Sequence, residues 1–77
     1  MAISELDRVV LTRDLPEYGL AEGDVGVVVH VYRDGDAVEL EVFSLTGETM
    51  AVATVPTKAL RPIAGRDVVS ARTWAAE

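Results

Sequence analysis

The pair Asp34-Gly35 sits between two apolar runs, "VGVVVHVY" before it and "AVELEV" after it. No other feature of the chain restricts its fold so much. Valine-rich runs make poor helix and good strand, because branching at Cβ fits an extended backbone. An Asp-Gly between two such runs is a strong signal for a two-residue type I′ hairpin. That turn sets Tyr32 opposite Ala37, Val31 opposite Val38 and His30 opposite Glu39. Continued strictly, it sets Val29 opposite Leu40, Val28 opposite Glu41 and Val27 opposite Val42. One face then carries only Val27, Val29, Val31, Val38, Leu40 and Val42. The other carries His30, Glu39 and Glu41 with Val28, Tyr32 and Phe43. A one-residue slip would mix the two faces, so turn and pattern support each other.

The next turn is "SLTG". A three-residue loop, Leu45 to Gly47 with Gly47 left-handed, gives a G1 bulge. It predicts Val42 opposite Met50 and Leu40 opposite Val52, within a third strand from Glu48 to Val55. Upstream, "DRVVLT" reads as a short first strand. "RDLPEYGLAEGD" then reads as a loop anchored by Leu15 and Leu20. Downstream, "PTKAL" suits a single helical turn opened by Pro56. "LRPI" suits a last strand that Pro62 confines to an edge, next to the first strand. The expected fold is all-β: a small five-stranded SH3-like barrel over residues 1–63. Residues 64–77 form a C-terminal extension, a tail or a short helix carrying Val68, Val69, Ala71, Arg72, Trp74 and Ala75.

Length and charge limit function. The 77 residues hold one domain, with little material for a deep pocket. No cysteine is present, so thiolate metal sites and disulfides are excluded. Nothing in the opening residues reads as a leader, and no apolar run reaches the ~18 residues of a membrane span. These readings point to a cytoplasmic protein. The net charge is −6. Basic residues are scattered while acids cluster, which suits a basic protein partner better than the phosphates of a nucleic acid.

No catalytic, cofactor or metal site emerges. Ser4, Ser44 and Ser70 lack a nucleophile context, and one histidine cannot build a zinc site. "GLAEGDVG" lacks a phosphate-binding spacing, and "DGD" lacks the twelve-residue calcium loop. His30 facing Glu39, with Glu41 beside it, reads either as an acid–base pair or as a surface pairing worth a few tenths to about 1 kcal/mol. Glu39 and Glu41 lie roughly 6–7 Å apart along one side of a strand. That overlaps the carboxylate spacing of glycosidases, but a solvated sheet face explains it as well. The outer face is apolar for a wet surface, with Val28, Phe43, Ala51 and Ala53 around Glu41. The strands themselves, the tail or another chain could cover it. The residues expected to meet a partner are therefore Val28, His30, Glu39, Glu41 and Phe43, with Val68, Val69 and Trp74 of the tail. The expected partner is another protein, with a basic one fitting best, or a second copy in a homodimer; no membrane is expected.

"ELDRVVLTRDLPEYGLAEGDVGVVVHVY" with "ETMAVATVPTKALRPI" resembles a small bacterial family of unknown function, from Ile3 to Ile63. The matching positions, among them Leu6, Asp7, Pro16, Gly19, Gly23, Asp24, Gly26 and Pro62, are mostly turn and core residues. The resemblance implies a fold, and it implies companions of other small proteins, antitoxin-like or accessory. "GDVGVVVHV" is also similar to the ribosomal KOW motif, in which a barrel loop meets RNA. That similarity makes a KOW-like nucleic-acid-binding module the alternative reading, although the basic loop residues of the motif are missing here.

Overall fold

In a computed structural model, which describes residues 3–74, the valine-rich runs are strands. They form one antiparallel sheet: β1 (Arg8–Leu11), β2 (Val25–Val31), β3 (Ala37–Phe43), β4 (Thr49–Pro56) and β5 (Leu60–Pro62). The spatial order is β4-β3-β2-β1-β5. The last strand returns beside the first, Leu60 opposite Leu11 and Pro62 opposite Val9, so Pro62 lies on an edge as expected. A single 3-10 turn, Thr57–Ala59, links β4 to β5. The sheet is open, with β4 and β5 as its two edges.

The loop after β1 folds onto itself. Leu15 and Leu20 exchange backbone hydrogen bonds of 2.9 and 3.1 Å around the 3-10 turn Pro16–Tyr18. Both side chains are buried in the core, as the sequence predicts. Gly19 closes that turn at φ +72°, a conformation that costs an L residue with a Cβ roughly 1–2 kcal/mol.

Near Gly35 the strand register is the expected one: His30 faces Glu39, Val31 faces Val38, and the Tyr32 amide donates to the Ala37 carbonyl. The turn itself is not type I′. Gly35 alone in it has positive φ, and its amide donates to the Tyr32 carbonyl, closing a four-residue loop. A type I turn followed by a left-handed glycine spares Asp34 the left-handed conformation that type I′ demands.

Further along, the strict alternation fails. A β-bulge between Val28 and His30 shifts the pairing, so Val28 faces Leu40 and Val27 faces Glu41. Val28 is therefore fully buried, while Val29 is 39% exposed. The expectation that Val28 lies on the outer face, and Val29 inside, is corrected. The Ser44–Glu48 turn does form the three-residue loop with Gly47 at φ +88°. A second bulge at Met50 then resets β4: Phe43 faces Thr49, Val42 faces Ala51 and Leu40 faces Ala53. Ala53 and Val55 are buried and Val52 is 52% exposed, the reverse of the predicted face.

Packing around Leu40 accounts for both shifts. A Cβ placed on Gly26 would lie 2.6 Å from Leu40 Cγ, so the leucine occupies the space that glycine leaves. The cross-strand neighbours of Leu40 are Val28 on one side and small Ala53 on the other. The strict register would instead flank it with two valines. Each bulge adds one residue to a strand and so exchanges the two faces beyond it.

Residues 64–74 form no helix, contrary to the helical option for the tail. Ala75, placed on that helix, lies outside the described residues. A two-to-three-turn helix is marginal alone, and here side-chain contacts compete with it. The Asp67 carboxylate accepts two hydrogen bonds from Arg61, of 2.9 and 2.8 Å, and one from the Ala64 amide. No helix among the described residues is long and apolar enough to cross a membrane.

Candidate protein-docking surface

The tail runs over the sheet face opposite the core. Two forked ion pairs tie it down. Arg61 on β5 holds Asp67. Arg72 donates to both Asp24 oxygens, at 2.9 and 2.6 Å, and to the Gly19 carbonyl at 3.0 Å. Bidentate Arg–carboxylate contacts are among the stronger surface pairs. The Arg61 guanidinium and the Ala64 amide hold the Asp67 carboxyl down at about 2. Burial pushes the Asp24 carboxyl up, but the Arg72 fork and the Ala21 amide outweigh it, and the net direction is down. The Arg72 guanidinium also lies 5.5 Å from the Trp74 ring centroid, within cation–π range. Trp74 is half-buried, packs against the core cluster, and its ring edge meets the backbone at Gly19.

Between tail and sheet lies a groove of about 890 Å³. Its sheet wall is built from Arg8, Val25, Val27, Phe43, Met50 and Ile63, and its tail wall from residues 67–72 with Trp74. Phe43, Val68, Val69 and Trp74 of the expected partner-binding residues meet here. Val68 and Val69 are 87% and 93% exposed.

The other expected residues do not join them. Val28 is in the core. His30, Glu39 and Glu41 lie along the face but outside the groove. The side-chain pairing expected between His30 and Glu39 is not made. Glu39 accepts a hydrogen bond from the Thr54 hydroxyl, and Glu41 accepts one of 2.6 Å from the Thr49 hydroxyl. The His30 ring instead packs edge-on against Tyr32, with centroids 4.7 Å apart, and its Nδ1 is 4.0 Å from Glu5. Two threonines thus occupy the carboxylates that were to serve the histidine. Val25, Met50 and Ile63 were missed as surface residues. Alternation alone carried no sign of them; Met50 was assigned inward by a register that its own bulge breaks.

A five-stranded antiparallel sheet with one apolar face closed on a core and the other partly roofed by its own tail defines a small all-β domain. The chain belongs to the family described as Domain of unknown function (DUF4926), whose model matches residues 5–62. The match spans all five strands and stops where the tail begins. No curated protein and no solved structure matches the chain.

Proposed function

We propose that this chain is a non-catalytic protein-binding module, the small antitoxin-like or accessory partner of another bacterial protein in the cytoplasm. One observation carries the reading. The inner sheet face already closes the core, yet Val25, Phe43, Leu45, Ile63, Val68 and Val69 remain exposed around one groove. Contiguous apolar surface of this kind marks interaction sites. The occupant that fits is an apolar segment of the partner, flanked by basic residues that the net charge of −6 steers toward the domain. Arg61 and Arg72 are engaged by Asp67 and Asp24, which favours protein over phosphate as the ligand. We also take the sheet to be an SH3-like barrel left open between β4 and β5; the strand order and the 3-10 turn before β5 support this.

Co-expression with the products of neighbouring genes tests the reading. One of them is expected to co-purify at equal stoichiometry, and Val68→Lys with Val69→Lys is expected to release it without altering the circular dichroism of the sheet. The proposal fails if no neighbour binds, or if mixed RNA binds tightly at low salt and dissociates steeply as salt is added.

A further inference from the structure

The two edges of the sheet are built differently. β5 has three residues, carries Arg61 and ends in Pro62, and the tail continues from it. Short length, charge and proline are the usual ways of blunting an exposed edge. β4 has eight residues, TMAVATVP, without one charge among them. No strand among the described residues pairs with its outer side.

The backbone groups that β4 leaves free follow from the ladder. The Tyr32 amide donates to the Ala37 carbonyl, so Ala37, Glu39 and Glu41 turn their polar groups to β2. Val38, Leu40 and Val42 then serve β4, where their partners are Val55, Ala53 and Ala51. The Ser44 amide, which donates to the Glu48 carbonyl, obeys the same alternation. Val52 and Thr54 therefore direct both N–H and C=O away from the sheet.

We propose that β4 pairs with β4 of a second copy, antiparallel about a two-fold axis at Ala53, joining two sheets into one. In this register Val52 of each copy faces Thr54 of the other. Each such pair exchanges two hydrogen bonds, so all the free groups of both residues are satisfied. Pro56 stops the ladder one step further on, because opposite Met50 it has no amide to give. The contact is isologous and closes on itself, so it makes a dimer and not a fibre.

Charge permits the contact. Glu48 precedes β4 and lies beyond the residues that pair, while Glu39 and Glu41 sit one strand back and are held by Thr54 and Thr49. Across the dimer the two β3 strands are three strand spacings apart, about 14 Å. That exceeds the Debye length of about 8 Å at physiological salt, so their repulsion is largely screened. The dimer does not use the groove under the tail, and it stands or falls separately from the partner proposed above.

Light scattering over a concentration series, with amide hydrogen exchange on the unmodified chain, tests it. The mass is expected to rise to twice that of the single chain, with the Val52 and Thr54 amides becoming protected in step. Val52→Pro removes an amide that β3 does not use; two bonds per dimer are lost, and dimerisation weakens about 30-fold. Val68→Lys with Val69→Lys leaves the dimer intact. A monomer at every concentration up to millimolar, with both amides exchanging freely, overturns the proposal. So does a dimer that leaves those two amides unprotected. Should Val52→Pro fail to fold, the exchange data on the unmodified chain decide alone.

Discussion

Gly26 has no room for even a methyl group: the added carbon would meet Leu40 Cγ at 2.6 Å and the Glu41 carbonyl at 3.0 Å. One neighbour is the centre of the core and the other is backbone, so neither yields easily. Gly26→Ala is expected to destabilise the domain by about 1–3 kcal/mol, read as a lower urea midpoint with an unchanged slope. Leu40→Ala, which empties the same space, should lose roughly 2–5 kcal/mol. Pairing the two changes should lose less than their sum, because the cavity left by Leu40 admits the new methyl. Turn glycines 35 and 47 were readable from their neighbours, since a turn is a local demand on φ. The role of Gly26 was not, because it depends on a leucine fourteen positions away.

Each strand was readable as a strand, while its register was readable only as far as the first bulge. Asp34-Gly35 set the pairs from Tyr32 to His30 correctly, and Val29 then broke the count. A bulge leaves no composition signature in a run of valines, since every residue there is equally suited to either face. The tail is a second case at this scale. Its apolar spacing allowed a helix, and what decided against one was carboxylates meeting arginines far along the chain: Asp24 and Arg72 are 48 residues apart. Both Asp67 and Asp24 have lowered pKa values in the folded chain. Their hold on the tail is therefore complete above the ordinary carboxylate value of 3.8 and weakens as pH falls below it, with Asp67 letting go at about 2. Emission from Trp74, the one tryptophan, is expected to shift to longer wavelength over that range. Asp24→Asn with Asp67→Asn should give the shifted spectrum already at pH 7, with the far-ultraviolet signal of the sheet retained.

At the scale of the whole molecule, the core is a property of residues 9–60, and among the described residues of the tail Trp74 alone joins its margin. Ending the chain after Ile63 is expected to leave a cooperatively folding domain. Loss of the half-buried indole should remove about 2 kcal/mol and lower Tm by roughly 10 °C. A truncated chain that fails to fold would show that the tail is part of the core. The candidate surface at this scale was only partly readable. Phe43, Val68, Val69 and Trp74 were singled out for being apolar in polar surroundings, and they do meet at one groove. Val28 was singled out by the same logic and lies inside, because its face depended on the bulge.

The sequence by itself determined the elements and their order: five short strands, two glycine turns, a self-anchored loop and a proline-limited last strand. Each rests on interactions within a few residues, namely allowed φ, branching at Cβ and hydrogen bonds across tight turns. The tertiary structure alone decided which valines face the core, where the tail lies and which acids are occupied. Those outcomes depend on volumes and charges brought together from distant parts of the chain: Leu40 filling the hollow at Gly26, Arg72 reaching Asp24, and Thr54 taking Glu39 from His30.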